Sequence, residues 1–353
     1  MQNFYNISLI FTGTVIGAGF ASGQEIMQYF LKYGNAGIFG IFLSIVVFSL
    51  LVCIIMCKIQ CTRARNPDDY LSGCPRFVKI SYSVITTGFM LVSFCVMVTA
   101  SGEMFFEHAG LPRFFGVFLM LSVSICCFFR GSGGIVVINK LMTPAIIIVT
   151  VIVFADKMLF SSMPVFKAAA VCKPAASAFV YVSYNTLSLI SVMTAVGDYI
   201  TDKGTAVLSS VFGGIMLLVT ALCIWCVMRG ADVQNAEIPM LAAISPYLKP
   251  LYIPVLFFAM ATTAVSNGAG VINSVRFKKF PVICVMTACS LIAARIAGFS
   301  VLVAKGYAFF GYAGFIIGAY TIADGLKYLK LRNNAKNGEI KRKQEENRNN
   351  QRF

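Results

Sequence analysis

Residues 13–25 read Gly-Thr-Val-Ile-Gly-Ala-Gly-Phe-Ala-Ser-Gly-Gln-Glu and lie in the middle of the first apolar stretch that is long enough to cross a bilayer. The four glycines weaken a helix at this point. Backbone groups freed inside hydrocarbon need partners, so a broken span is tolerated only where it lines a cavity or is buried in protein. The stretch therefore predicts a broken helix at membrane depth and indicates where a ligand binds. The alternative is close helix packing through small residues.

The composition is that of a membrane protein. The chain has 353 residues, of which 58% are hydrophobic and 12% are charged, and its mean hydropathy is +0.80. Soluble domains carry about 25% charged residues, so a soluble enzyme is excluded. Ten apolar stretches can each supply the ~20 residues that cross a bilayer. Their approximate limits are 7–31, 37–58, 78–106, 112–129, 134–155, 174–198, 205–228, 249–275, 280–303 and 306–329.

Most of the twelve cysteines fall within these stretches. Cysteine behaves there as a small apolar residue, so we expect packing rather than a transition-metal site.

The basic residues are distributed unevenly between alternate loops. Twenty of the 29 Lys and Arg lie in one set of loops and the C-terminal tail, eight lie in the other set, and Arg295 lies inside a span with no partner that the sequence identifies. Because cytoplasmic loops carry the excess of Lys and Arg, the first set is predicted to face the cytoplasm. Both termini are then cytoplasmic, in a multi-pass protein of the cell membrane. The net charge of +15 reflects this topology rather than nucleic-acid binding.

Ten spans divide into two halves of five, and an odd number per half forces the second half to insert in the opposite orientation. Glycines interrupt span one, and the polar run Ser183–Ser188 lies at the corresponding place in span six. Ser, Asn and Thr compete for backbone hydrogen bonds and favour turns and caps. The sequence thus predicts an all-α polytopic membrane protein of about ten transmembrane helices in a 5+5 inverted repeat, with helices one and six broken.

The domain organisation follows from these spans. A transmembrane transporter domain covers residues 1–330, with repeat one at about 7–155 and repeat two at about 174–329. A basic tail at 331–353 has few apolar residues, and we expect it to be disordered. Ala236 to Pro246 is expected to form an external helix, and Asp324 is expected to pair with Lys327 at i+3.

The break in span one offers binding groups of both signs. The helix resuming near Gly23 directs its N–H groups and positive dipole end toward the midplane, which suits a carboxylate. The helix ending before the break leaves carbonyl oxygens free for a small cation. Glu25 is an intramembrane carboxylate and therefore a functional candidate. However, Ser22-Gly23-Gln24-Glu25 also matches a capping box, in which the Glu only caps the helix. Both interpretations stay open.

Residues 8–41 combine the glycine-broken helix with Tyr-Gly-Asn-Ala-Gly-Ile-Phe-Gly at 33–40, and they resemble the YkvI-like family of amino-acid permeases. The string Gly-Ala-Gly-Phe-Ala-Ser-Gly-Gln-Glu carries most of the resemblance, and the ten-span plan extends it over nearly the whole chain. The family is grouped in the amino acid–polyamine–organocation superfamily. The resemblance therefore implies the fold of the bacterial leucine transporter.

Similarity to the sodium-coupled transporters of that fold implies an ion site between spans one and eight. The matching ligands are the backbone carbonyls of Gly13, Ile16 and Ala259 and the hydroxyls of Thr262 and Thr263. Five hard oxygen donors suit a monovalent cation. The alternative is that each Thr only bonds a carbonyl of its own helix. Na⁺ is the expected coupling ion, and H⁺ is the other candidate.

The same similarity places the substrate at the two breaks. The substrate-binding candidates are Gly17, Ala18 and Gly19, whose N–H groups match those that hold a substrate carboxylate, together with Glu25 and the span-six residues Ser183, Tyr184, Asn185, Thr186 and Ser188. The span-six run is more polar than a leucine pocket, so the identity of the solute stays open.

The sequence favours a secondary active transporter of a small amino-acid-like solute, working by alternating access and Na⁺ symport. The alternative is a ligand-sensing membrane subunit of the germinant-receptor type, which needs the pocket and protein partners but no transport cycle. One His and no clustered carboxylates provide no catalytic constellation, so we predict no enzyme activity and no cofactor besides the coupling ion.

The predicted topology can be tested by cysteine labelling on a Cys-free background. A cysteine introduced as Arg65→Cys should react with an impermeant reagent only from the cytoplasmic side, because its loop belongs to the basic set. A cysteine within Ala236 to Pro246 is the control and should react from outside. Labelling of Arg65→Cys from outside alone would contradict the ten-span topology.

Overall fold

The computed structural model describes residues 2–130, 133–160, 172–275, 277–296, 298–320, 323–328 and 330, and these residues form helices, turns and bends with no strand among them. The predicted tail at 331–353 lies outside the described residues. The helices in chain order are α1 (Gln2–Val15), α2 (Ala18–Ala21), α3 (Gln24–Tyr29), α4 (Ala36–Thr62), α5 (Pro67–Tyr70), α6 (Arg76–Ala109), α7 (Arg113–Arg130), α8 (Gly133–Phe160), α9 (Cys172–Ala195), α10 (Lys203–Met228), α11 (Pro239–Ala243), α12 (Lys249–Ser274), α13 (Lys279–Ile296) and α14, which begins as Phe299–Val301.

Eight helical stretches of the described residues are long and apolar enough to cross a membrane. They are Ala36–Thr62, Arg76–Ala109, Met142–Leu159, Lys173–Ala195, Lys203–Met228, Pro246–Ser274, Lys279–Ile296 and Phe299–Tyr328. Two shorter apolar helices, Phe4–Val15 and Arg113–Phe129, fall at the predicted first and fourth spans. The all-helical, multi-pass architecture is therefore confirmed, while the count of ten and the inverted repeat stay predictions.

The helix α1 lies in the interior of the bundle, against α8, α9 and α10. Its hydroxyl side chains hydrogen-bond to α10: Ser8 Oγ donates to Ser209 O at 3.2 Å and Thr12 Oγ1 donates to Gly213 O at 3.3 Å. A Cβ at Gly213 would overlap the ring of Phe11, so glycine permits this close approach. Elsewhere α4 packs on α9 and α10, and α12 packs on α6. The first predicted span is thus enclosed by protein.

The predicted break in span six is wrong, because α9 is one continuous α-helix from Cys172 to Ala195. Its polar side chains turn back onto the helix instead of interrupting it. Ser183 Oγ donates to Phe179 O at 2.7 Å, and Thr186 Oγ1 donates to Val182 O at 2.7 Å. Bonding to the carbonyl one turn earlier satisfies each hydroxyl without opening the backbone. The polar run therefore lies on an intact helix.

The last two spans begin and end earlier than predicted. The helix α13 ends at Ile296, and α14 starts at Phe299, continues as a π-helix over Leu302–Tyr307 and returns to α-helix over 308–320. Arg295 lies in the last turn of α13, at the end of the candidate span Lys279–Ile296, where it is exposed and its positive charge complements the helix dipole. Lys305, expected in the connecting loop, lies in the π-helical turn.

Asp324 pairs with Lys58 of α4 and not with the predicted partner, Lys327. The Lys58 ammonium group bonds the Asp324 carboxylate, donates to Tyr70 O at 2.7 Å and lies 4.1 Å from the centre of the Tyr70 ring. The Lys58 side chain is 5% exposed, so its charge needs these partners. If Asp324 paired with the exposed Lys327 at i+3 instead, the buried Lys58 would lose its counterion. The pair ties α4, the loop helix α5 and the end of the last span together.

We expect Asp324→Asn to destabilise the protein by about 3 kcal/mol, because it leaves the buried Lys58 charge without its counterion. The measurement is the unfolding midpoint in detergent. Lys327→Met, at an exposed position one helical turn away, is the control and should change the midpoint little. Equal midpoints for the two variants would show that the Lys58–Asp324 pair does not stabilise the fold.

Candidate functional site

The first predicted break is present, at Ile16 and Gly17. The helix α1 ends at Val15, Gly17 is extended at φ −79° and ψ −176°, and α2 resumes at Ala18 for a single turn. The Gly17 N–H donates to Val15 O at 2.8 Å instead of to Gly13 O. The Gly13 carbonyl therefore loses its helical partner and is free for a ligand.

A second interruption follows at Gly23, which has φ +83° and separates α2 from α3. This left-handed conformation favours glycine, and a Cβ here would also overlap the Met228 side chain. The sequence predicted a single break, after which the helix resumes near Gly23. The structure has two, so the helix between them is only one turn long.

The chain on the α3 side of the break is held by the connection between α10 and α12. Met240 N donates to Ser22 O at 2.9 Å, and Tyr252 Oη donates to Ala21 O at 2.7 Å. The Gln24 amide donates to Ala236 O at 3.1 Å and to Glu237 O at 2.9 Å. Protein groups thus satisfy the backbone freed on this side.

Glu237 also makes contact with α14. Its carboxylate accepts from Ser300 N at 2.7 Å and from Ser300 Oγ at 3.0 Å, which caps the start of that helix. The residue therefore binds α3 through its carbonyl and α14 through its side chain.

The capping box at Ser22–Glu25 does not form. Gly23 is the N-cap of α3, and Ser22 Oγ donates back to Gly19 O at 3.1 Å and accepts from Gln24 N at 3.4 Å rather than from Glu25 N. The Glu25 side chain turns inward and is 4% exposed. The capping interpretation is therefore wrong for Glu25, and its role in ligand binding stays a prediction.

A cavity of about 90 Å³ opens at the first break. Nine of the predicted site residues line it: Gly13, Gly17, Ala18, Gly19, Glu25, Tyr184, Asn185, Ser188 and Thr263. A cavity of roughly 150 Å³ holds benzene, so this one suits a small solute or an ion with a few waters. The walls come from α1–α3, α6, α9, α12 and α14, which places the cavity at the centre of the bundle.

The other predicted site residues are close by but do not line the cavity. They are Ile16, Ser183, Thr186, Ala259 and Thr262. Ser183 and Thr186 bond their own helix, as described above. Thr262 Oγ1 and Thr263 Oγ1 donate to Ala259 O at 3.0 and 2.9 Å, so the carbonyl accepts both hydroxyls.

Of the two threonines, Thr263 faces the break, with its Oγ1 3.4 Å from where a Cβ of Gly17 would lie. The sequence analysis gave both residues the same role, and the structure separates them.

The cavity includes polar residues that the sequence analysis missed. Asn267 Nδ2 donates to Ser93 Oγ at 2.7 Å, and Ser93 Oγ lies 3.2 Å from Tyr307 Oη. This chain of hydrogen bonds joins α12, α6 and α14 along one wall. The available signal in the sequence was that each of the three is a polar residue within a span. Nothing in the sequence showed that the three residues meet.

Aromatic rings surround Glu25. Tyr184 and Tyr307 have ring centres 5.0 Å apart, and Tyr29 lies 5.6 Å from both Tyr181 and Tyr184. The Tyr181 and Tyr184 side chains lie beside the Glu25 carboxyl group. The Tyr181 and Tyr184 hydroxyls are placed to donate to this carboxyl group, while Glu25 Oε2 and the Tyr29 hydroxyl are buried and have no hydrogen-bond partner.

Comparison with known proteins gives two curated relatives and a group of solved structures, while no protein-family profile matches the chain. The uncharacterized membrane protein YkvI of Bacillus subtilis is 27% identical over 324 residues, covering 87% of this chain and 91% of YkvI. The uncharacterized protein YyaD of the same organism is 28% identical over 269 residues, covering 74% of this chain and 78% of YyaD.

Among solved structures, the manganese transporter of Eremococcus coleocola, in complex with an aromatic bis-isothiourea compound, matches with a TM-score of 0.55. The identity is 12%, and the match covers 92% of this chain and 77% of the transporter. At this identity the likeness concerns the fold.

Proposed function

We infer that the chain is a secondary active transporter of a small amino-acid-like solute. It is homologous to the YkvI-like membrane proteins and has the leucine-transporter type of fold. It works by alternating access in the cell membrane, with both termini in the cytoplasm, and it is not an enzyme. The observation that carries this proposal is the cavity at the break of α1, where freed backbone and polar side chains from α9 and α12 meet.

The solute binds between the break of α1 and the polar run of α9 at residues 183–188. In this proposal its carboxylate approaches the N–H groups of Ala18 and Gly19, which are the first of a helical turn and have no intrahelical partner. Tyr184, Asn185 and Ser188 supply the opposite wall. Ser183 and Thr186 hold the shape of α9 behind that wall through their bonds to Phe179 and Val182.

We propose Na⁺ as the coupling ion, bound between α1 and α12. The Gly13 carbonyl and the Thr263 hydroxyl face the cavity, and Ile16, Ala259 and Thr262 complete the ligand set at its edge. Hydroxyl and carbonyl oxygens without a carboxylate match a monovalent cation. The hydroxyls that now donate to Ala259 O keep their lone pairs free for an ion.

The double variant Thr262→Val with Thr263→Val tests the ion site. We expect the Na⁺ concentration for half-maximal uptake to rise about tenfold, equivalent to ~1.4 kcal/mol, because two oxygen donors are lost while the shape is kept. The measurement is uptake of a panel of radiolabelled small amino acids into proteoliposomes under a Na⁺ gradient. Thr263→Val alone should account for most of the change. Unchanged Na⁺ dependence, or uptake driven by protons and indifferent to Na⁺, would refute this site.

Gly19→Leu tests the substrate position. The new side chain fills the cavity and overlaps the Glu25 carboxyl group, so solute binding should be lost while the protein still inserts. Gly17→Ala is the matched control and should keep solute binding, because its Cβ would meet Thr263 at 3.4 Å, which is an ordinary contact. Binding is measured as stabilisation against unfolding.

Two other outcomes would change the interpretation. If Gly19→Leu lowers stability without any solute and leaves binding intact, the glycines serve only packing. If the wild type binds an amino acid but moves none across the bilayer, the ligand-sensing subunit becomes the better assignment.

A further inference from the structure

Glu25 is a buried residue that lines the cavity, and one of its carboxyl oxygens is unused. The residue is 4% exposed, it lines the cavity, and its Oε2 has no hydrogen-bond partner. An ionised carboxylate taken out of water is costly unless it is paired and hydrogen-bonded. The folded chain therefore keeps a group here that a ligand can satisfy.

No countercharge from the described part of the chain reaches Glu25. The ion pairs found there are Lys58–Asp324, Arg65–Asp198, Arg113–Glu103 and His108–Glu107. The residues lining the cavity include neither Lys, Arg nor His. Glu103 shows the contrast, because its equally buried carboxylate has Arg113 Nε at 2.8 Å. A cation brought by the ligand would complete the Glu25 site.

The walls next to Glu25 are aromatic. Phe89, Tyr184 and Tyr307 line the cavity, with ring centres 5.0 to 5.7 Å apart. Ring faces attract ammonium groups through their quadrupole, and such cages recognise alkylated amines. Metal ions of the hard type instead require several oxygen ligands in a shell. The rings thus select an organic cation over a metal ion.

The Glu25 carboxyl group keeps acceptor capacity for a cation with N–H groups. The Tyr181 and Tyr184 hydroxyls are placed to donate to this carboxyl group, while Glu25 Oε2 and the Tyr29 hydroxyl are buried without a partner. An ammonium group carries up to three N–H donors, which the remaining carboxylate lone pairs can accept.

The carboxyl group of Glu25 also lies against Gly19, where it would overlap a Cβ. A solute carboxylate held at the Gly19 N–H would therefore lie close to a second negative charge. Like charges at this distance in a buried site repel strongly. A positive group that the solute brings to Glu25 removes this repulsion, so the ammonium group should matter more for binding than the carboxylate.

We propose that Glu25, with the rings of Phe89, Tyr184 and Tyr307, is the subsite for the ammonium group of a small primary amine or amino acid. This assignment rests on the proposed transport function and specifies its solute class. The cavity of about 90 Å³ limits the solute to a few heavy atoms beyond that group.

The test uses the purified full-length chain in detergent at pH 7 and measures binding through the shift of the unfolding midpoint. The probes are ethylammonium, L-alanine and propionate, which carry the ammonium group, both groups and the carboxylate alone. Ethylammonium and L-alanine should stabilise the wild type, and propionate should not. No stabilisation by ethylammonium, or equal stabilisation by propionate, would overturn the proposal.

Variants then locate the binding group. Glu25→Gln should weaken ethylammonium binding about tenfold or more, because a buried ion pair loses its anion. Tyr184→Leu should weaken it about tenfold, whereas Tyr184→Phe keeps the ring face and should change it less than about threefold. Unchanged binding in Glu25→Gln would refute the assignment.

Stability without any probe separates this role from a structural one. Glu25→Gln should leave the unfolding midpoint unchanged or raise it, because no countercharge of the described residues loses a partner. Glu103→Gln is the matched control and should lower the midpoint, because it breaks the pair with Arg113. A lower midpoint for Glu25→Gln would mean that Glu25 holds the kinked helix rather than a ligand.

Uptake distinguishes failure of the subsite from failure of the transport function. If Na⁺-driven uptake of small amino acids occurs but ethylammonium does not compete, the transporter stands and the ammonium subsite is refuted. If ethylammonium binds as predicted but no amino acid is taken up, the subsite stands and the transport function is refuted.

Discussion

The structure depends on one constraint: backbone N–H and C=O groups in an apolar interior must find partners. Breaking α1 at Ile16 and Gly17 frees several of these groups at once. On the α3 side the protein supplies the partners, through Met240, Tyr252 and the Gln24 amide. On the α1 side the Gly13 carbonyl opens onto the cavity instead. The cavity lies where backbone hydrogen-bonding groups remain available, which is the reason that we propose it as the ligand site.

The break in the first span could be predicted because several glycines close together weaken a membrane helix more than close helix packing alone requires. The resemblance to the YkvI-like proteins is confirmed by the homologues found, and the transporter fold by the solved neighbours. The polar run in α9 was ambiguous, because Ser, Thr and Asn can either interrupt a helix or bond to its carbonyls. Sequence gives no means of choosing between the two. The interior packing of α9 favours the unbroken form, since it leaves no backbone group unsatisfied.

Contacts between distant parts of the chain could not be predicted from the sequence. Lys58 and Asp324 are 266 residues apart, and helical periodicity suggested only the local pair with Lys327. The tyrosines around Glu25 come from α3, α9 and α14, and each alone looks like an ordinary aromatic residue in a span. The candidate carboxylate was recognisable from its position in the chain. Its surroundings, which decide what it binds, emerge only when the helices pack.

Glu237 gives the site a mechanical property. Its carbonyl accepts from Gln24, next to Glu25, while its carboxylate caps the helix that carries Tyr307. The elements that carry Glu25 and Tyr307 are therefore linked through one residue outside the cavity. A displacement of α3 is therefore transmitted to the start of α14 as long as both bonds hold, so the helices that carry Glu25 and Tyr307 form one mechanically connected unit.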